Sequence, residues 1–293
     1  MPIGDAKTVM SGYVLTMLTD AVIIITGSAG PLGQAIGRRA AKWGARLALF
    51  ERDDALAQRA QELLATAGVD NKQMQAYSAD VRDAEALERA ISSVHADWGA
   101  INGLVNNAAI LSPEDYDPVS TPLSVWNDTW AVNATGSFLM CQLTLPHLLK
   151  SQGAIVNMSS VVAHAASAIP QIAYTASKGA IEAMTREIAI TYARQGVRAN
   201  CVAPGPVRTE RNAHLFASQT AWEKRQRYIP MGRMGVPDDI SGMVCFLLGS
   251  EAQFITGGTF FVDGGISAAY IADPQMPETL ATSSEGSSSE DTA

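Results

Sequence analysis

The chain is poor in the residues that staple, ligate or span. Three cysteines, Cys141, Cys201 and Cys245, stand far apart in apolar stretches of a 293-residue sequence. Their odd number and spacing argue against a disulfide framework and against a C-x-x-C metal or redox pair, and point to a reducing, cytoplasmic setting. Four histidines, His95, His147, His164 and His214, form no H-x-x-x-H or Cys/His cluster, so no catalytic metal is expected. A G-x-S-x-G nucleophile elbow is absent too. No apolar run reaches the roughly 18 residues that a membrane span requires. The segment from Met1 to Asp20 does not read as a secretory signal, because Ser11, Gly12 and Thr16 break its apolar stretch. Basic residues are outnumbered, 21 against 29 acidic, for a net charge of −8. Asp273, Glu278, Glu285, Glu290 and Asp291 place five of the negative charges in the last 21 residues, which leaves the rest near −3. The chain therefore lacks the positive surplus that nucleic acid or an anionic membrane surface needs.

What is present suits one large α/β domain: 47% of the residues are hydrophobic and 17% charged. Short β-branched apolar runs alternate with longer amphipathic stretches, the pattern of βαβ units building a parallel sheet covered on both faces. Strands are expected at Ala21 to Thr26, Arg46 to Glu51, Met74 to Ser78, Gly103 to Asn106, Ala154 to Met158, Arg198 to Val202 and Thr259 to Val262. Helices at Asp53 to Ala67 and Asp83 to Asp97 each begin with a carboxylate that suits the cap and the dipole. Thr121 with Pro122 reads as a cap followed by a first-turn proline, opening a helix to about Lys150. The expected architecture is a single Rossmann-type, doubly wound parallel sheet of about seven strands spanning residues 18–271. A flexible extension, 1–17, precedes it, and a Ser-rich acidic tail, 272–293, is expected to be disordered. Residues 210–233 interrupt the alternation with Phe216, Trp222 and Tyr228 between Pro206 and Pro230, and read as a lid over substrate and cofactor.

Tyr174-Thr175-Ala176-Ser177-Lys178 carries the sharpest chemical signal. A phenol and an ammonium four positions apart share a helix face, about 6 Å along the axis. Bringing a tyrosine from about 10 to about 7 takes roughly 4 kcal/mol of preference for the phenolate. A lysine charge about 4 Å away in an effective dielectric of about 20 supplies that amount. Alone, the spacing also suits a packed tyrosine and a solvated lysine.

Thr26-Gly27-Ser28-Ala29-Gly30-Pro31-Leu32-Gly33 follows the first strand and opens a helix. Glycines there let a backbone approach a pyrophosphate, and the helix amino terminus offers free N–H groups to it. Glu51 ends the second strand, placed to take the ribose hydroxyls of an adenosine and to repel a 2′-phosphate, which favours NAD over NADP. Arg52, Arg38 or Arg39 could oppose that repulsion, and Glu51 also suits a plain surface carboxylate.

These motifs occur together with Asp80-Val81, Asn106-Asn107-Ala108-Ala109, Asn133, Ser160, Pro204-Gly205-Pro206-Val207-Arg208-Thr209 and Val262-Asp263-Gly264-Gly265. In that order, from about Leu18 to about Ile266, the sequence resembles the short-chain dehydrogenase/reductase family. The resemblance implies NAD-dependent interconversion of a secondary alcohol and a ketone by a homo-oligomer, commonly a tetramer. It implies that Tyr174 exchanges a proton with the substrate oxygen, that Lys178 stabilises the phenolate and bonds the nicotinamide ribose, and that Ser160 bonds the substrate oxygen. Asn133 would hold a water linking Lys178 to solvent. Asp80 would take the adenine amino group with Val81 flanking the ring, Asn107 would brace the central strand, and Thr209 would meet the nicotinamide carboxamide. Gly27, Ser28, Gly30, Pro31, Leu32, Gly33, Ala108, Ala109, Pro204, Gly205 and Val207 would complete the cofactor site. His164, Gln171, Phe216 and Trp222 would line the substrate pocket with Ser160.

Three departures from the family pattern stand out. Pro31 replaces the middle glycine of the turn, removing one N–H while suiting a first helical position. Ala109 replaces a glycine near the nicotinamide. Ser160 precedes Tyr174 by 14 positions, where 13 is common, so a residue is inserted between them. Ser159 competes for the same role, but an extended strand would point it to the opposite side. A thioester-directed 3-oxoacyl reductase using NADPH and a catalytically silent NAD-binding protein are the alternative functions.

Overall fold

The computed structural model describes residues 17–167, 169–209 and 228–269. The expectations for the amino-terminal extension, for Phe216 and Trp222 in the lid, and for the acidic tail lie outside the described residues.

Seven parallel strands form one sheet in the order β3-β2-β1-β4-β5-β6-β7. They are β1 Val22–Thr26, β2 Arg46–Glu51, β3 Met74–Ser78, β4 Gly103–Asn106, β5 Ala154–Met158, β6 Arg198–Pro204 and β7 Thr259–Val262. The strand order reverses direction between β1 and β4, which opens a crevice at their carboxyl ends, where ligands bind in such sheets. β1, β4 and β5 are buried at every position, as a sheet covered on both faces demands. The alternation of side chains splits the core in two. Ile23, Ile25, Leu47 and Leu49 pack with Ile36 of α1 (Pro31–Lys42) and Val244 of α7 (Pro237–Leu248). Val22, Ile24, Ala48 and Phe50 face Leu87 and Ile91 of α3 (Ala84–Trp98) and Met140 of α5 (Ser137–Ser151). Each large aliphatic side chain so buried contributes about 1.5–3 kcal/mol relative to exposure.

The expected helix starts mostly hold. Asp53 caps α2 (Asp54–Thr66) by accepting from Leu56 N at 2.9 Å, and Asp83 caps α3 by accepting from Ala86 N at 3.0 Å. Thr121 and Pro122 sit one position earlier than expected. Pro122 is itself the cap residue of α4 (Leu123–Trp130), while the Thr121 hydroxyl accepts from Tyr116 N and donates to Asp117 O. Proline's fixed φ suits this extended cap conformation as well as a first turn. The long helix expected from there to about Lys150 is divided: α4 passes through a π-helical turn, Ala131–Gly136, into α5.

The helix that carries Tyr174 and Lys178, α6 (Ile172–Tyr192), has no side-chain cap from its own Gln171 and no acid in its first turn. Its cap comes from a distant loop. Asp115, 4% exposed, accepts from Ala173 N at 3.0 Å and Tyr174 N at 2.8 Å, and Tyr116 O accepts from Ile172 N at 3.0 Å. Three otherwise unpaired N–H groups are thus satisfied, with a negative charge at the positive end of the helix dipole. Asp115→Ala is predicted to cost about 1–2 kcal/mol and to lower the melting temperature by several degrees. Thermal unfolding followed by circular dichroism checks this, with Asp115→Asn expected between the two.

Candidate active site

At the carboxyl end of β1 the backbone turns back sharply. Gly27 takes φ +64°, and a Cβ there would lie 2.9 Å from Ala108 Cα, so the turn sits directly against the loop after β4. A Cβ on Gly33 would meet Gly27 O at 2.5 Å, which allows α1 to start close under the turn. Gly30 is the cap of α1 and Pro31 occupies its first turn, so the proline stands where its missing N–H costs nothing within the helix. Asn107 Nδ2 donates to Thr26 O and Gly27 O, both at 3.0 Å, and Thr26 Oγ1 accepts from Asn107 N and Ala108 N. The loop after β4 is therefore tied to the turn after β1 across the crevice.

Two adjoining clefts run along that crevice, sharing Gly27, Glu51 and Ala108. One, about 490 Å³, reaches Asp80, Val81 and Arg82. The other, about 500 Å³, passes Gly30, Pro31 and Leu32 to Thr209. Together they form a trough with Glu51 near its middle. Burial raises the pKa of the Glu51 carboxyl, opposed chiefly by the Ala29 N–H, which donates to its Oε1 at 2.7 Å. At the far side Val207 pairs with Gly235, and Gly205, where a Cβ would meet Asp263 Cα at 2.6 Å, follows Pro204 out of β6.

Tyr174 and Lys178 lie one turn apart on α6, with Lys178 Nζ 5.4 Å from the centre of the tyrosine ring. Lys178 is 3% exposed and donates to Met158 O, at the end of β5, at 2.7 Å. Ser159 and Ser160 follow the end of β5 and find different partners. Ser159 is buried and donates to Glu182 Oε1 at 2.6 Å, whereas the half-buried Ser160 accepts from Val162 N at 3.4 Å. Asn133 sits in the π turn. Its side chain accepts from Ile110 N at 2.8 Å and donates to Ile110 O and to Ser177 Oγ, the neighbour of Lys178. Such turns interrupt helices most often at functional positions.

The comparisons with known proteins agree. A family model described as enoyl-(acyl carrier protein) reductase matches residues 27–267. 2-(S)-hydroxypropyl-CoM dehydrogenase 3 of Xanthobacter autotrophicus is 40% identical over 260 residues, 86% of this chain and 98% of that protein. The chain is a short-chain dehydrogenase/reductase. 3β-hydroxysteroid dehydrogenase 1 of Eggerthella lenta is 33% identical to it over 85% of this chain and 95% of that protein. The crystal structure of levodione reductase superposes with a TM-score of 0.79 at 29% identity, covering 86% of this chain and all of the other. Like its family, this short-chain dehydrogenase/reductase is an NAD(P)(H)-dependent oxidoreductase acting on CH–OH and C=O groups.

The electrostatics of the dehydrogenase's helical pair follow from burial. Removal from water pulls the Lys178 pKa down to about 8. When charged, Lys178 favours the Tyr174 phenolate over the neutral phenol.

Two side chains that sequence reasoning missed complete the surroundings. One is Asp115, described above. The other is Glu182, two turns beyond Tyr174 on the same helix face and 4% exposed, which takes Ser159 on one oxygen and His164 Nε2 on the other at 2.6 Å. His164 also packs edge-on against Phe261. An acid eight positions after the tyrosine, on the stripe shared with the lysine, was the available signal for Glu182. No local pattern marked Asp115. Among the described residues no group of three or more His, Cys, Asp or Glu side chains could hold a metal ion, and no helix is long and apolar enough to cross a membrane.

The sign of the Lys178 effect on stability is definite. A buried amine with a lowered folded-state pKa destabilises the native chain while it is charged, fully below about pH 8, and progressively less as the pH rises toward its unfolded-state value. Lys178→Met is predicted to be most favourable relative to the wild type below pH 8, with the difference shifting toward the wild type as the pH rises. Urea unfolding of both proteins across that range measures it.

Proposed function

We propose that the chain is an NAD(H)-dependent dehydrogenase that interconverts a secondary alcohol and a ketone. The observation that carries this reading is the buried Lys178 beside Tyr174, one helical turn apart, in a chain whose crevice also holds a trough past Glu51. The trough fits a dinucleotide: a glycine turn and helix start face its pyrophosphate length, and a carboxylate stands where ribose hydroxyls would be bound. Gly27, Ser28, Gly30, Leu32 and Gly33 would line the pyrophosphate, and Thr209 the nicotinamide end. When bound, the nicotinamide accepts or supplies the hydride at the substrate carbon.

The chain's own side chains handle the proton. Tyr174 gives a proton to the carbonyl oxygen or takes one from the alcohol. Lys178 lowers the cost of the phenolate. Ser160 hydrogen-bonds the substrate oxygen, while Ser159 is taken up by Glu182. Asn133, fastened to Ile110 and Ser177, keeps the helix beside Lys178 in register and serves the water path from the lysine to solvent. Gln171 and His164 border the substrate. The small-molecule substrate, the cytoplasmic setting, the absence of nucleic-acid and membrane partners and the homo-oligomer, dimer or tetramer, belong to the same reading.

Relatives are named dehydrogenases of hydroxypropyl-CoM, a hydroxysteroid, threitol and fucose, which supports an alcohol in preference to an acyl thioester. A silent NAD-binding protein is the second reading, because a relative 37% identical over 80% of this chain is named inactive 2-(S)-hydroxypropyl-CoM dehydrogenase 2. The Tyr174 and Lys178 pair favours turnover.

A panel of secondary alcohols and ketones, assayed with both cofactors at the dihydronicotinamide absorbance, is expected to give NAD(H)-linked turnover. Tyr174→Phe should reduce it about a thousandfold or more while leaving NADH affinity within about twofold. Turnover unchanged in that variant contradicts the mechanism. Glu51 should hold NADPH at least about tenfold weaker than NADH, and Glu51→Ser should narrow the gap. Fluorescence titration with the two reduced cofactors reads this directly.

A further inference from the structure

The stretch of chain that carries Ser160 is held on both sides by one carboxylate. Glu182 lies one turn beyond Lys178 on α6 and is 4% exposed. Its Oε1 accepts from Ser159 Oγ at 2.6 Å, and its Oε2 lies 2.6 Å from His164 Nε2. A contact that short with a carboxylate oxygen places an imidazole hydrogen on Nε2, so both carboxylate oxygens are paired with donors from the same short stretch. The Ser159 hydroxyl also stands 3.4 Å from Lys178 O, and His164 packs edge-on against Phe261 of β7 with 4.8 Å between ring centres.

Ser160 sits between these two holds. It caps the 3₁₀ turn Val161–Ala163, and its hydroxyl accepts a long bond, 3.4 Å, from Val162 N. Among the described residues its own hydrogen has no acceptor, which leaves it for a substrate oxygen. The backbone around it is a tight turn: Ala163 N donates to Ser160 O and His164 N to Val161 O, each at 3.0 Å, while Ser159 N donates to Val202 O at 2.8 Å. A buried carboxylate that loses a donor is costly, so the turn is not free to drift from the helix. Tyr174, Lys178 and the hold on Ser160 therefore belong to one helix.

We propose that Glu182 is a positioning residue for Ser160: by holding Ser159 and His164 together, it fixes the hydroxyl that bonds the substrate oxygen relative to the proton-transfer pair on the same helix. This rests on the dehydrogenase reading above and deepens it. Glu182 acts through Ser160, so it falls silent once the Ser160 hydroxyl is gone. A misplacement of about 1 Å can lower a rate about a hundredfold. A hydrogen bond that strengthens as the substrate oxygen gains charge is read in kcat more than in KM.

Full-length wild type, Glu182→Ala, Glu182→Gln and His164→Leu would be compared, each variant alone and combined with Ser160→Ala. Kinetics use the member of the alcohol and ketone panel above that the wild type turns over fastest. Deuterium exchange of backbone amides, which needs no substrate, is followed on the same proteins. Glu182→Ala should lower kcat about tenfold or more with KM within about threefold, and His164→Leu should lower kcat about fivefold. Glu182→Gln, whose amide accepts from Ser159 and donates to His164, should be at least about threefold faster than Glu182→Ala. In the Ser160→Ala background, assayed at high enzyme concentration, none of the three should change the residual turnover by more than about twofold. Amides of residues 160–165 should exchange about tenfold faster in Glu182→Ala, with those of 174–178 within about twofold of wild type. If Glu182→Ala does not fold, His164→Leu carries the same arms, since 44% of that side chain is exposed. Unchanged kcat, a rise in KM alone, Glu182→Gln as slow as Glu182→Ala, losses that persist in the Ser160→Ala background, unaltered exchange at 160–165, or an exchange increase spread evenly over α6 would each overturn the proposal while the dehydrogenase reading stands. A wild type that turns over nothing in the panel sinks both.

Discussion

A primary amine held out of water is the constraint around which this structure is organised. Lys178 is almost fully buried, and its charge is destabilising unless something compensates. Its Nζ finds Met158 O at 2.7 Å, a carbonyl at the very end of β5. That contact is available only if α6 lies at one height against the sheet, because one residue of helix slip would move the amine by about 1.5 Å. The position of Tyr174 follows from the same fit. A tyrosine four residues earlier on the same helix has to stand one turn nearer its amino end.

The height of α6 is in turn fixed from outside the helix. Asp115 and Tyr116 satisfy its first N–H groups, and Asn133 grips Ser177 while holding both polar atoms of the Ile110 backbone. Residues 107 to 116 are thus fastened at one end to the glycine turn through Thr26 and Gly27, and at the other to the helix of the tyrosine and lysine. One loop ties the cofactor trough to the proton-transfer pair. The geometry gives a physical reason for the distance between the sequence motifs: they are the ends of one hydrogen-bonded frame.

Much of this was legible from residue patterns. Fully buried parallel strands announce themselves as short β-branched runs. The expected strands match within a residue at nearly every boundary; β6 alone runs two residues further, through Pro204. Asp53 and Asp83 cap where acids before an amphipathic run should. What escaped notice depends on residues far apart in sequence. Asp115 caps a helix 58 and 59 residues away, and nothing local to either partner distinguishes it from a surface acid. Glu182 joins Ser159 and His164 only because β5, its following turn and α6 converge. The π turn at Ala131–Gly136 has no proline or glycine pair to signal it, and reading that stretch by helical period alone gives one unbroken helix. Thr121 was misplaced because two hydrogen-bond partners in its own loop, Tyr116 and Asp117, take the hydroxyl that a cap would have used.

The central claim is that Lys178 sets the acidity of Tyr174. A near-ultraviolet tyrosinate titration of the wild type, with Tyr174→Phe subtracted to isolate the one phenol, measures that acidity directly. The account predicts that the Lys178 charge makes Tyr174 ionise below the ordinary tyrosine value of about 10, and that Lys178→Met returns it toward or above that value. Ionisation of Tyr174 near about 10 in the wild type, or a titration indifferent to Lys178→Met, would contradict it.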